Sequence, residues 1–142
     1  MSGAKAMNLR KAMGDERAAA AVEFALISIC YIVMLLGLME IGLYVADQQD
    51  LMSAVHSTGR YAIVHGSSSS SPASATSLEQ MVGNKLVLVN SSAVTATASF
   101  SPNNNPGSTV TITASYTWKP IVPLLHLPNA TISATSAATI LN

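Results

Sequence analysis

The stretch AVEFALISICYIVMLLGLMEIG, residues 21–42, is apolar enough to be a membrane anchor, yet it carries a carboxylate near each end, Glu23 and Glu40. As a helix, residues 24–45 are long enough to cross a hydrocarbon core of about 30 Å at ~1.5 Å per residue. A charged side chain within a bilayer costs roughly 2.5 to 3.5 kcal/mol, so each acid needs a partner or a shallow position. Since helical residues are ~100° apart, the two acids point about 100° away from each other and do not share a site.

Each carboxylate therefore has its own explanation. Glu23 would lie at the cytoplasmic interface, in the first turn of a helix, or it would need a partner of its own. For Glu40, the candidate for an intramembrane or interfacial contact, the sequence favours solvation near the outer headgroups.

The charge distribution predicts the orientation of the chain. Four of its seven basic residues precede the apolar run, namely Lys5, Arg10, Lys11 and Arg17. By the positive-inside rule we expect a cytoplasmic N-terminus, a transmembrane helix over 19–46 and an extracytoplasmic remainder. A net charge of zero with 10% charged residues argues against nucleic acid as a partner.

The helix is predicted to continue beyond the membrane as an amphipathic extension over residues 47–66. No proline interrupts 18–65, and Gly66 offers a stop. The apolar positions of the extension recur at helical intervals, at Leu51, Met52, Val55, Ala62 and Ile63.

A serine-rich linker, 67–76, is expected to join this helix to a small α+β domain over 77–142. A short second helix is predicted from a capping box at Thr76 and Glu79. Its apolar face would consist of Leu78, Met81, Val82 and Leu86. A strand over KLVLVN, residues 85–90, is the alternative for the end of this segment.

Period-two patterns predict three antiparallel strands with one apolar face. The face comprises Val94, Ala96, Ala98 and Phe100, then Val110, Ile112, Ala114, Tyr116 and Trp118, then Ile132, Ala134, Ala138 and Ile140. SPNNNPG, residues 101–107, is typical of a turn between the first two strands. The amphipathic helix is the nearest cover for this face. The connection KPIVPLLHLPN, residues 119–129, is either a surface contact or a loop tucked under the sheet.

The sequence carries no pattern of catalytic or ligand-binding residues. His56, His65 and His126 are scattered without ligand spacing, and the sole cysteine, Cys30, lies within the apolar run. We therefore expect neither enzymatic activity nor a cofactor.

The ordered set AVEFAL, the Glu40 region, GRYAIVHG and the later stretches VTITASYTWKPIVPLL and ISATSAATI resembles TadE-like pseudopilins of the tight-adherence (Flp) pilus system. The resemblance implies a pilin-like fold and a minor pilin of a bacterial inner membrane, with a periplasmic domain that assembly would carry into an extracellular pilus. Its implied partners are a prepilin peptidase, the major and other minor pilins, the inner-membrane assembly platform and membrane lipid.

In this family a class III leader is removed so that glutamate becomes the fifth residue and an aromatic the sixth. The resemblance thus implies that 1–18 is a cytoplasmic leader, cut between Ala18 and Ala19, with Glu23 and Phe24 serving processing and assembly. Ala18 stands where the family commonly has glycine. The new α-amine of Ala19 would be neutralised by Glu23 of a neighbouring subunit within the apolar bundle, which fixes the register of the two helices.

Two other interpretations remain open from the sequence. In the first, the leader is retained and the chain is a single-pass anchored periplasmic binding or scaffolding protein. In the second, the N-terminal segment is a secretory signal removed near Ala46, although Tyr44 and Asp47 suit such a cut poorly.

Overall fold

The computed structural model describes the backbone of residues 3–141 and the side chains of residues 16–123 and 125–141. Its elements are, in order, α1 (Gly3–Val64), α2 (Ala75–Lys85), β1 (Val94–Ser101), β2 (Thr109–Trp118) and β3 (Ala130–Thr139). This arrangement confirms the predicted α+β fold with a long apolar helix, a short helix and a three-stranded antiparallel sheet. The side chains of Lys5, Arg10 and Lys11, in the predicted leader, lie outside the described residues.

The chain divides into two compact units, Met1–Met39 and Glu40–Asn142. The boundary falls within α1, so the first unit is helical wherever it is described. The second unit contains the rest of α1 together with α2 and the sheet.

The sheet has the order β1-β2-β3, and its register places the predicted apolar residues on one face. Ala96, Ala114 and Ala134 lie side by side across the three strands, as do Phe100, Val110 and Ala138. Threonine and serine occupy the intervening positions, except for Ala137 in β3. The turn between β1 and β2 is also as predicted, with Gly107 at a φ of 86°, a conformation that glycine adopts without a Cβ penalty.

The apolar face of the sheet packs with a stripe of α1 and with Leu78 and Val82 of α2 in one hydrophobic core. The stripe recurs at helical intervals and consists of Leu51, Ala54, Val55, Thr58, Gly59 and Ala62. The prediction that the outer part of the helix covers the sheet is therefore confirmed. Met52 is 40% exposed, so its assignment to this face was wrong.

The second helix begins at a different cap from the predicted one. Ser74 is the N-cap: its hydroxyl accepts a hydrogen bond from the Ser77 N–H, and the Ser77 hydroxyl accepts one from the Ser74 N–H. Ser77 takes the role that glutamate has at the third helical position of a capping box. The helix therefore begins at Ala75, earlier than a cap at Thr76 predicted. Glu79 instead accepts a hydrogen bond from the Ala98 N–H of β1 at 3.1 Å.

After α2, residues 86–90 form bends rather than the alternative strand. The serine-rich segment between the helices is bonded to the β1–β2 turn, because the Ser67 N–H donates to the Asn104 carbonyl at 2.7 Å. The Asn104 amide in turn donates to the carbonyl of buried Ala73 at 2.9 Å.

Candidate functional site

The first unit presents an apolar helix surface to its surroundings. The described part of α1, Glu16–Val64, includes an 18-residue window with a mean hydropathy of 2.3, of which 6% is buried. Large apolar side chains such as Ile27, at 69% exposure, cover this surface. Within the described residues, α1 is the one helix long and apolar enough to cross a membrane.

Glu23 lies on this apolar surface, next to Phe24, which is 73% exposed. Within the described part of the chain, Glu23 has neither a hydrogen bond nor an ion pair. Ala18 and Ala19 are also exposed and helical. A carboxylate without an intrachain partner on a lipid-compatible surface is a group that a second molecule can satisfy.

Glu40 has entirely different surroundings, since it is the first residue of the second unit and its side chain is fully buried. Its Oε1 accepts a hydrogen bond from the Val122 N–H in the connection between β2 and β3. Its Oε2 is buried and has no hydrogen-bond partner among the described residues. The acid is thus enclosed by protein, whereas the sequence favoured solvation by headgroups.

A hollow of about 180 Å³ lies beside Glu40. Its wall is almost entirely apolar and is formed by Ile41, Tyr44, Trp118, Leu127 and Pro128. Tyr44 and Trp118 meet edge to face, with ring centroids 5.4 Å apart. The aromatic pair connects the end of β2 to α1 at the level of the buried acid.

Asp50 of α1 binds the segment that follows α2, a contact that the sequence analysis did not predict. Its carboxylate accepts hydrogen bonds from the backbone N–H groups of Val87, Leu88 and Val89, at 2.8 to 3.2 Å. Three amides converging on one carboxylate fix the bend after α2. No local sequence pattern predicts this contact, because Asp50 and its three donors are 37 to 39 positions apart.

Asp47 lies one helical turn before Asp50. Burial, and then the nearby charge of Asp50, raise the pKa of the Asp47 carboxyl above its ordinary value of 3.8.

These features define a class of protein: a chain with one helix long and apolar enough to cross a membrane among its described residues, followed by a small α+β unit. In a comparison with known families, the model described as TadE-like protein matches residues 18–60. The match confirms the resemblance to TadE-like proteins over that range, which includes Glu23 and Glu40. No curated protein and no solved structure matches.

The family match starts at Ala18 and ends at Arg60. The later stretches that resemble the family, in β2 and β3, lie outside it and remain predictions. Glu23 and Glu40, the two acids singled out from the sequence, belong to different units of the chain.

Proposed function

We propose that this chain is a minor pilin, or pseudopilin, that serves as a structural subunit in assembling or priming a tight-adherence pilus. A prepilin peptidase removes residues 1–18, and the mature chain begins at Ala19. The observation that carries this proposal is Glu23, a carboxylate with no partner in the described chain on an otherwise apolar exposed helix.

Charge complementarity supplies the mechanism. Cleavage creates an α-amine at Ala19 that is positive near neutral pH, and Glu23 of a neighbouring subunit pairs with it. Each charge is costly in an apolar bundle unless it is matched, so the pair selects one axial register between helices. The exposed apolar side chains around Glu23, among them Phe24, pack against the neighbouring helix.

The orientation follows from the same scheme. The leader is cytoplasmic, in keeping with its basic residues, and the α+β unit is on the periplasmic side.

Replacing Glu23 with alanine tests this mechanism. We expect Glu23→Ala to insert into the membrane at the wild-type level but to be lost from sheared pili, because its neighbour's amine is left unmatched. The matched control is Glu16→Ala, which removes an exposed acid from the same helix, within the leader. Normal incorporation of Glu23→Ala would contradict the mechanism.

The alternative is an unprocessed anchored protein with a binding or scaffolding role in the periplasm. The observation that favours it is Ala18, which stands where the family commonly has glycine. This alternative predicts that the chain extracted from the membrane retains residues 1–18.

A further inference from the structure

Large exposed apolar residues outside α1 are concentrated at one end of the second unit. Of the five such residues in the described chain, four lie in the two connections that contact the start of this unit: Val87, Leu88, Ile121 and Leu127, with exposures of 83%, 63%, 66% and 42%. We call these four side chains the apolar rim. The fifth, Leu141, lies elsewhere.

Contacts with α1 fix the position of the rim along the helix axis. Leu88 and Ile121 line a hollow of about 310 Å³ together with Leu43 and Ala46 of α1. Leu127 lines the neighbouring hollow beside Glu40, and the Val87 N–H donates to Asp50. The rim therefore lies beside α1 at the level of residues 40–50.

This level is where hydrocarbon ends if α1 spans a membrane. The apolar run 24–45 is about 33 Å long as a helix, close to a core of roughly 30 Å, so its last residues reach the headgroup region. On α1 itself, Ile41 and Val45 are exposed at the same level. Apolar side chains at this depth enter the acyl-chain region, whereas in water they would leave contiguous apolar surface exposed.

The polar and aromatic residues at this level also suit an interface. Lys119 is exposed, lines the same hollow as Ile121, and carries a flexible ammonium group that can reach a headgroup phosphate. Tyr44, which is partly exposed, lies beside the rim, and tyrosine is enriched where a membrane meets water.

We propose that the apolar rim inserts into the adjoining leaflet of a phospholipid bilayer, so that the folded unit has a second membrane contact besides the span. The inference rests on the span of α1 and is independent of the pilus role and of leader removal. Its consequence is that the unit sits against the bilayer surface before any assembly step.

Fluorescent labelling of the full chain tests the proposal. In a Cys30→Ser background, single cysteines replace Val87, Ile121 or Leu141 and carry an environment-sensitive nitrobenzoxadiazole label. The protein is reconstituted at low density into vesicles of phosphatidylethanolamine and phosphatidylglycerol. Leu141 is the matched control: it is 73% exposed and apolar, but its N–H bonds to the Ile63 carbonyl, about 30 Å farther along α1 than Leu43.

We expect labels at positions 87 and 121 to shift to shorter emission wavelength and to be quenched by nitroxides attached high on the acyl chain. The label at position 141 should do neither. Labels at 87 and 121 that behave like the one at 141, or that respond only to headgroup nitroxides, would overturn the proposal. Because these vesicles contain only lipid and this chain, a rim that serves another protein gives that overturning result. A far-ultraviolet circular dichroism spectrum that matches the Cys30→Ser parent verifies that each labelled variant is folded.

Discussion

At the scale of single residues, the two carboxylate oxygens of Glu40 differ in their hydrogen bonding. One accepts the Val122 N–H, while the other is buried without a partner among the described residues. An unpaired buried polar atom is costly, and so is an unpaired backbone N–H. The carboxyl group therefore matters mainly as the acceptor for Val122, which holds the β2–β3 connection against α1.

Removing that acceptor should destabilise the folded unit. We expect Glu40→Ala to lower the free energy of unfolding by about 1 to 3 kcal/mol, because the Val122 N–H loses its partner. Glu40→Gln retains an amide oxygen for this bond and should lose much less. Urea unfolding of the full chain in detergent, followed by the fluorescence of Trp118, measures both. Equal losses in the two variants would show that the hydrogen bond is unimportant.

Asp47 should make stability depend on pH in a predictable direction. Its pKa is raised in the folded state by burial and by Asp50, so the folded chain binds protons more tightly than the unfolded one. Stability therefore falls as the pH rises through the range above 3.8. We expect Asp47→Asn to raise the melting temperature at neutral pH and to have little effect below that range, as measured by calorimetry across pH. A variant that is less stable than wild type at neutral pH would contradict the assignment.

Sequence reasoning at this scale found the residues but not their surroundings. Glu23 and Glu40 are conspicuous because carboxylates are rare in apolar runs. The partner of Glu40 lies 82 positions away, in a connection whose sequence permitted two placements. Local patterns carry no information about such a contact, which arises only when β2 packs on α1.

At the scale of elements, close packing between α1 and β3 depends on Gly59. A Cβ at this position would lie 2.7 Å from the Ser136 hydroxyl oxygen, which is shorter than van der Waals contact. Ser136 lies in the sheet row of Ala98 and Ile112. The missing side chain therefore lets the helix approach the sheet.

Filling this space should cost stability. We expect Gly59→Val to lower the free energy of unfolding by about 1 to 3 kcal/mol, since the larger side chain separates α1 from β3. Arg60→Val is the matched control, because it places the same side chain on the exposed face of the same helix. Its effect should stay within about 0.7 kcal/mol, the scale of helix propensity. Urea titration of the two variants measures this, and a loss in Gly59→Val no larger than that in Arg60→Val would contradict the packing account, because valine is a better helix former than glycine.

The elements themselves were largely predictable because their periodicities are strong. Alternation from Val94 to Phe100 and from Val110 to Trp118 specified the strands and the buried face. The helical stripe was predicted less well, since Ala54, Thr58 and Gly59 are small residues that hydropathy does not mark as core. The start of α2 was misplaced for a related reason: Ser74 and Ser77 form the cap in a stretch where serines are abundant and individually uninformative.

At the scale of the whole molecule, the two units have different physical requirements. The second unit has its own hydrophobic core and buries Glu40, whose Oε1 is paired and whose Oε2 has no partner among the described residues. In its described residues the first unit exposes an apolar helix on which the Glu23 carboxylate has no partner, a surface that lipid or another chain can cover. The family match, over residues 18–60, includes parts of both units.

The N-terminus of the chain, extracted from membranes and, where pili form, from the pili, tests the proposed function most directly. Mass spectrometry of the chain from cells with and without the prepilin peptidase should find a new terminus at Ala19 only when the peptidase is present. Pili that assemble normally with residues 1–18 still attached would contradict the account, since no α-amine would then exist at Ala19 to pair with Glu23.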